Sequence, residues 1–340
     1  MSQTASIGVA DGAVRREDMD AASIKPLWES PTAHRPPPKP RAAHLWKWEE
    51  LRRFARYAAT LTSPAAVERR VLQLMNPQPA SPTDESTVGN LAAALQILLP
   101  DEAARPHRHS INALRFVLEG DGVTTIVDGQ AVPMHVNDML LTPGNCWHEH
   151  RHTGDKPMIW LDALDVPLHA GLGTITFQPG PVDNVPAMLP QGAFASPGVL
   201  PAEGGPAVPY SPVFRYPYKD AVSALEQVSV GPDGTRTVRY VNPLTGGAPM
   251  PTIDCRLVGL EPGRRTKRYC SNASAIFLVV EGEGESWAND VHFRWQARDI
   301  FIMPPGNWLQ HLAQTRARLF VVSDREALSR LGILKEEYRN

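Results

Sequence analysis

Apolar residues recur at two different spacings, and the change from one to the other divides the chain. Residues 1–42 are small and polar and end in the run HRPPPKPRAA, which favours extended backbone and loose order. Over residues 45–55 the apolar positions Leu45, Trp48, Leu51, Phe54 and Ala55 fall at helical intervals. Thr62-Ser63-Pro64 then offers a start signal for a second helix over residues 65–74, with proline early in it. Residues 1–85 are therefore expected to form an N-terminal arm with helices. From about Leu91 onward the helical spacing gives way to short apolar runs bounded by Gly, Asn, Asp and Pro, the pattern of strands and tight turns.

That strand pattern occurs twice. Phe116-Val117-Leu118-Glu119-Gly120-Asp121-Gly122 leads to Asp138-Met139-Leu140-Leu141-Thr142-Pro143-Gly144. In the second half Phe277-Leu278-Val279-Val280-Glu281-Gly282-Glu283-Gly284 leads to Asp299-Ile300-Phe301-Ile302-Met303-Pro304-Pro305-Gly306. A repeat of this length is a duplicated domain rather than a solenoid unit. The strands are short and no helices separate them, so each copy reads as a small antiparallel barrel or jelly roll. The expected fold class is all-β, with one copy over residues 86–172, a Pro/Gly-rich connection over 173–246, and the second copy over 247–340 ending in a helix.

Composition narrows the partners. The net charge of −2 offers no basic field, so neither nucleic acid nor a membrane surface is expected. No stretch could span a bilayer, and the first residues lack the apolar core of a signal peptide. Cys146, Cys255 and Cys270 are too few and too scattered for a disulfide framework, which points to a reducing, cytoplasmic setting.

The chemistry concentrates in the first copy. Six of the eleven histidines lie between His107 and His152. His107 and His109 stand at i and i+2, so on a strand both imidazoles face the same way. His148 follows the Pro-Gly turn of what would be a neighbouring strand. Three such nitrogens can hold one face of a metal and leave positions open for substrate. Arg115, six residues beyond His109, would face the same way on an unbroken strand, and a guanidinium turned into a barrel needs an anion, from substrate or from a protein carboxylate. His148 and His150 form a second i, i+2 pair. His152 is expected in solvent, and His135 is read as structural.

Histidine-x-histidine before an EGxG turn, with a later histidine, resembles the cupins, whose fold is the double-stranded β-helix. More narrowly, HRHSINALRFVLEGDG, LLTPGNCWHEH and PMIWLDALDVPL resemble the gentisate and salicylate 1,2-dioxygenases. The resemblance covers roughly residues 45–330 and is stronger in the first copy. It implies an Fe(II) enzyme with His107, His109 and His148 as ligands, acting on a small aromatic acid and dioxygen, commonly as a homotetramer. It further implies that Arg115 and His150 contact the substrate's oxygens and that Asp162 belongs to the pocket. Arg70 would hold the substrate carboxylate, with the adjacent Arg69 as the alternative. Gln96 either lines the pocket or is an ordinary polar strand residue. Many cupins add a glutamate soon after the histidine pair, whereas Ser110-Ile111-Asn112-Ala113-Leu114 has no carboxylate. That suits a substrate which brings two anionic oxygens of its own, as a salicylate does.

Aligning the two EGxG turns sets Tyr269 opposite His107 and Ser271 opposite His109, with only His311 near the third ligand position. The second copy is therefore expected to be metal-free and to serve packing and oligomer formation. Two other readings stay open at this point. One is a different metal-dependent cupin enzyme, an isomerase or thiol dioxygenase. The other is a non-catalytic bicupin that stores or binds.

Overall fold

Strand Ala92–Leu98 is buried along its whole length, which requires cover on both faces of its sheet. The reason is visible in a computed structural model that describes residues 15–30, 40–79, 81, 83–180, 192–196, 198–203 and 206–339. Two compact units make up the chain. The first, Met1–Lys39, holds a short helix, Arg16–Ala21, and a single 3₁₀ turn, Leu27–Glu29. The second unit, Pro40–Asn340, holds both copies of the repeat.

Among the described residues the strands form two sheets of six and two of five, every named pair of strands being antiparallel. One six-stranded and one five-stranded sheet face each other in each copy, giving two jelly-roll barrels. The two six-stranded sheets lie back to back. Phe116 of the first and Phe320 of the second stack at 4.3 Å between ring centroids. Leu95, Ile97 and Leu161 share one continuous apolar cluster with Leu257, Ile276 and Val322. Alternate residues on the same strands turn inward, and in the first barrel these include the polar Gln96, Arg115 and Asp162.

The duplication extends to backbone irregularity. The pairing slips by one residue between Val117 and Glu119, opposite Ile159 and Trp160. It slips again between Val279 and Glu281. Each barrel thus carries the same bulge just before its EGxG turn, where extra twist carries the chain from one sheet to the other. Glycine is required at the turn: Gly120 has φ of +92°, and a Cβ there would lie 2.3 Å from the Pro157 carbonyl oxygen.

Two expectations about the arm change. Residues 45–55 are not one helix: His44–Trp46 is a strand on the edge of the second barrel, paired with Ile300–Ile302, and the helix runs Trp48–Leu61. The second helix is only Pro64–Val67, and Val71–Gln73 is a strand along Ala94–Gln96. Edge pairing to an existing sheet outweighs helix propensity in both places. The Pro/Gly-rich segment carries more structure than its composition suggests. Its strands Phe177–Pro179, Arg215–Tyr216 and Thr235–Arg239 each join a different sheet, with helix Tyr218–Gln227 between the last two.

Candidate metal centre

Strand Ala103–His109 reaches the centre through an irregularity. Its pairing with strand His148–His152 slips between Ala104 and His107, where Pro106 has no N–H to offer the ladder. Beyond the slip His107 lies directly opposite His148, and His109 falls two residues on. The three rings sit 4.5, 4.9 and 5.3 Å apart between centroids. One nitrogen from each lies within 4.8 Å of the other two.

Which nitrogen is available follows from the hydrogen bonds. His109 Nδ1 donates to the Ile111 carbonyl at 2.9 Å, and His148 Nδ1 to the Cys146 carbonyl at 3.1 Å. His107 Nδ1 lies 2.8 Å from Glu68 Oε1. Nε2 of each ring is left over, and that of His148 is buried without any partner. Burial pushes all three imidazoles toward the neutral form a metal requires, His107 to about 2 and His109 to about 4. The donor set therefore fits a divalent ion: three oriented neutral nitrogens, each with its other nitrogen anchored.

The opposite wall comes from the six-stranded sheet. Arg115, Asp162 and Ala94 form one inward row across three strands, and Val117, Trp160 and Gln96 form the next. Arg115 Nε lies 3.3 Å from Asp162 Oδ1, and its Nη1 donates to Thr142 Oγ1 at 2.5 Å. Trp160 Nε1 donates to the same Asp162 oxygen at 3.1 Å. Arg115 does face the histidines, but by crossing the barrel. The chain turns at residues 110–112, so Arg115 and His109 lie on different sheets rather than on one continuous strand. His150 is fully buried, with Nδ1 2.9 Å from Thr125 Oγ1 and its ring 5.3 Å from Trp160. The Thr125 hydroxyl also lies 3.1 Å from Met134 Sδ, to which it donates. His150 Nε2 is buried without a hydrogen-bond partner among the described residues.

The two adjacent arginines part company. Arg70 is turned away from the histidines and its guanidinium is consumed by Glu102 and the carbonyls of Thr62 and Ile97. It is Arg69 that reaches the cluster, with Nη2 2.8 Å from His107 Nδ1. Burial first, then the proximity of Arg115, lowers Arg69 to about 9. Glu68 and Trp160 are site residues that the sequence does not single out, and Arg69 is its alternative to Arg70. Nothing in their spacing marks them, although Glu68 and Arg69 directly precede the arginine that was chosen.

Eight buried side-chain nitrogens and oxygens among the described residues lack a hydrogen-bond partner. Five of them belong to residues of this site: Arg69 Nη1, Gln96 Nε2, Arg115 Nε (whose neighbour is the Asp162 carboxylate), His148 Nε2 and His150 Nε2. Buried polar atoms are rarely left unpaired, and such a convergence marks where a polar ligand sits. His152, expected in solvent, is instead buried at the end of the same strand, with Nε2 2.7 Å from the Lys156 carbonyl and Nδ1 accepting from Gly154 N–H.

The second barrel differs at every one of the three histidine positions. Tyr269 pairs with Leu309 as His107 pairs with His148, so leucine occupies the third position. His311 lies opposite Ser286 as His150 lies opposite Thr125. It is therefore the counterpart of His150 and not of a metal ligand, a correction that the one-residue difference in spacing hid.

Comparison with known proteins adds to this geometry. Residues 94–164 match a cupin domain model. The chain is 37% identical to gentisate 1,2-dioxygenase 1 of Aquipseudomonas alcaligenes over 94% of each protein. It is 32% identical to 5-aminosalicylate 1,2-dioxygenase of a Comamonas species, over 94% of this chain and 88% of the other. Salicylate 1,2-dioxygenase from Pseudoaminobacter salicylatoxidans, crystallised as adducts with gentisate, superposes with a TM-score of 0.87 at 33% identity. That match covers 95% of this chain and 93% of the other.

Proposed function

The chain belongs to the gentisate and salicylate 1,2-dioxygenase family and is a ring-cleaving dioxygenase, and from that premise we propose that it opens a salicylate-type aromatic acid between its carboxyl- and hydroxyl-bearing carbons, using one Fe(II) held by His107, His109 and His148. The supporting observation is the cluster of three imidazoles, among whose surrounding residues lie five buried nitrogens that lack a hydrogen bond. Iron at that place would supply the electron exchange between ring and dioxygen; everything else is positioning and charge.

The charge balance of the pocket supports a dianionic substrate. Two guanidiniums, the half-buried Arg69 and the buried Arg115, stand beside one buried carboxylate, Asp162, with the half-exposed Glu68 at the edge. A divalent ion adds to the positive excess, and a salicylate with both oxygens ionised offsets it. Arg115 takes the substrate carboxylate, with Asp162 and Thr142 holding the guanidinium plane. His107 bound through Nε2 keeps its Nδ1 proton for Glu68, which leaves Arg69 free to turn to the same carboxylate. His150 meets a substrate oxygen through its unpartnered Nε2. Gln96 presents its amide from the next row and limits how the ring lies.

Gentisate, salicylate and 5-substituted salicylates all meet these requirements, the relatives acting on gentisate and on 5-aminosalicylate by name. A homotetrameric assembly belongs to the same proposal. Phe54, Tyr57 and Leu61, exposed on one side of helix Trp48–Leu61, support a contact with another copy, and sedimentation velocity tests it.

Oxygen uptake by anaerobically Fe(II)-loaded protein tests the function, with gentisate, salicylate, 5-substituted salicylates and 1-hydroxy-2-naphthoate in parallel. Uptake with at least one of them, abolished in His107→Ala, is expected. Protein holding about one iron per chain that consumes no oxygen with any of them overturns the proposal.

A further inference from the structure

The inside of the second barrel is not filled. It holds a cavity of about 140 Å³ bordered by Arg256, Lys267, Tyr269, Phe277, Leu309 and His311. That is close to the roughly 150 Å³ of an engineered apolar cavity that admits benzene. A surface depression sharing Arg256, Lys267 and Tyr338 with the cavity adjoins it and supplies an entrance.

Its lining is organised for a charged ligand, and duplication shows how. In the first barrel the middle inward row reads Ala94, Asp162, Arg115. The corresponding row of the second reads Arg256, Val321, Phe277. The guanidinium has moved to the other side of the row, the facing carboxylate has become valine, and an aromatic ring stands where Arg115 stood. Arg256 leans on Asp254 at 2.9 Å, but that carboxylate also receives Arg239 at 2.5 Å. Asp233 is turned to the N–H and hydroxyl of Thr235. Arg325 is taken by Glu336. Lys267, at the mouth, forms no ion pair among the described residues.

His311 completes the set. Trp295 Nε1 donates to Ser286 Oγ at 2.8 Å, and Ser286, with no other acceptor among the described residues, donates to His311 Nδ1 at 2.7 Å. This relay leaves the proton on Nε2 of His311, a residue only 7% exposed that lines the cavity, and Nε2 has no hydrogen-bond partner among the described residues. The barrel has lost the three metal positions to Tyr269, Ser271 and Leu309 yet keeps the histidine donor.

We propose that the second barrel is a metal-independent binding site for a small aromatic monocarboxylate. The ring packs against Phe277 and Leu309, and the carboxylate is taken by Arg256, Lys267 and the His311 Nε2 proton.

Benzoate is the probe, because it fits the volume and lacks the ortho-hydroxyl needed to chelate a metal in the first barrel. Calorimetric titration of the full-length protein is expected to show a site that survives Arg115→Ala and weakens at least tenfold in Arg256→Ala and in Lys267→Ala. Ala275→Leu, which fills the cavity and touches no charge, is expected to weaken it likewise. Lys267→Ala and Ala275→Leu decide the matter if Arg256→Ala does not fold. No binding to the unaltered protein overturns the proposal. So does binding that disappears in Arg115→Ala, or that is indifferent to both Lys267→Ala and Ala275→Leu.

Discussion

Glu68 adopts φ of +64°, a conformation that costs a non-glycine residue of order 1–3 kcal/mol. The return on that strain is positional, since it ends the short helix and sets the carboxylate 2.8 Å from His107 Nδ1. Glu68→Gln is expected to lower metal affinity about 10- to 100-fold, read by chelator competition, with activity largely recovered at saturating Fe(II). The arginine pair separates by assay. Arg69→Ala should lower kcat/KM about 10- to 100-fold at unchanged melting temperature, the scale of one lost charged hydrogen bond. Arg70→Ala should instead destabilise the fold by about 3 kcal/mol, because Glu102 loses its partner while the substrate contacts stay. His311 predicts a pH effect. Burial lowers it from 6.5 to about 4. Between those values the unfolded chain takes up a proton that the folded chain refuses, so stability falls as pH drops through that window. The loss reaches up to about 3 kcal/mol at the acid end. His311→Gln should flatten that part of the stability profile in denaturant melts, and an unchanged slope would contradict the assignment.

At the scale of elements, the bulge and the EGxG turn act together. The bulge adds twist, and the left-handed glycine then carries the chain from the six-stranded to the five-stranded sheet. Gly120→Ala should cost about 3 kcal/mol, since it combines an unfavourable φ with a Cβ driven into the Pro157 carbonyl. Gly282→Ala, whose Cβ would lie 2.5 Å from the Arg316 carbonyl oxygen, should behave alike. Denaturant midpoints at constant slope are the measurement. Edge pairing explains why the strands of the arm are not legible in its sequence. Periodicity reports which side of a segment is apolar, while the vacant edges beside Ala94–Gln96 and Ile300–Ile302 exist only once the barrels have formed.

At the scale of the whole molecule, each six-stranded sheet serves both barrels, with one face lining an interior and the other lying in the joint. Unfolding one barrel would expose the back of the other. The two are therefore expected to melt in a single transition, with fluorescence and circular dichroism coinciding. Phe116→Ala and Phe320→Ala should each cost about 3–5 kcal/mol. The pair should be non-additive by about 0.5–3 kcal/mol in a double-mutant cycle, because the rings stack on each other. Two separated transitions would show that the shared core does not couple the barrels.

The chain alone determines the duplicated all-β architecture and points to His107, His109 and His148 as one cluster, which the fold does bring together. Strand period, turn glycines and the i, i+2 spacing are local properties that survive whatever the rest of the fold does. Three assignments depended on which strand lies opposite which. Arg115 faces the histidines across the barrel because the chain changes sheet between them. The choice between Arg69 and Arg70 follows from the left-handed turn at Glu68. His311 is the partner of Ser286, as His150 is of Thr125, because of strand register. A one-residue shift at any bulge reverses the direction of every later side chain, and bulges are set by tertiary packing.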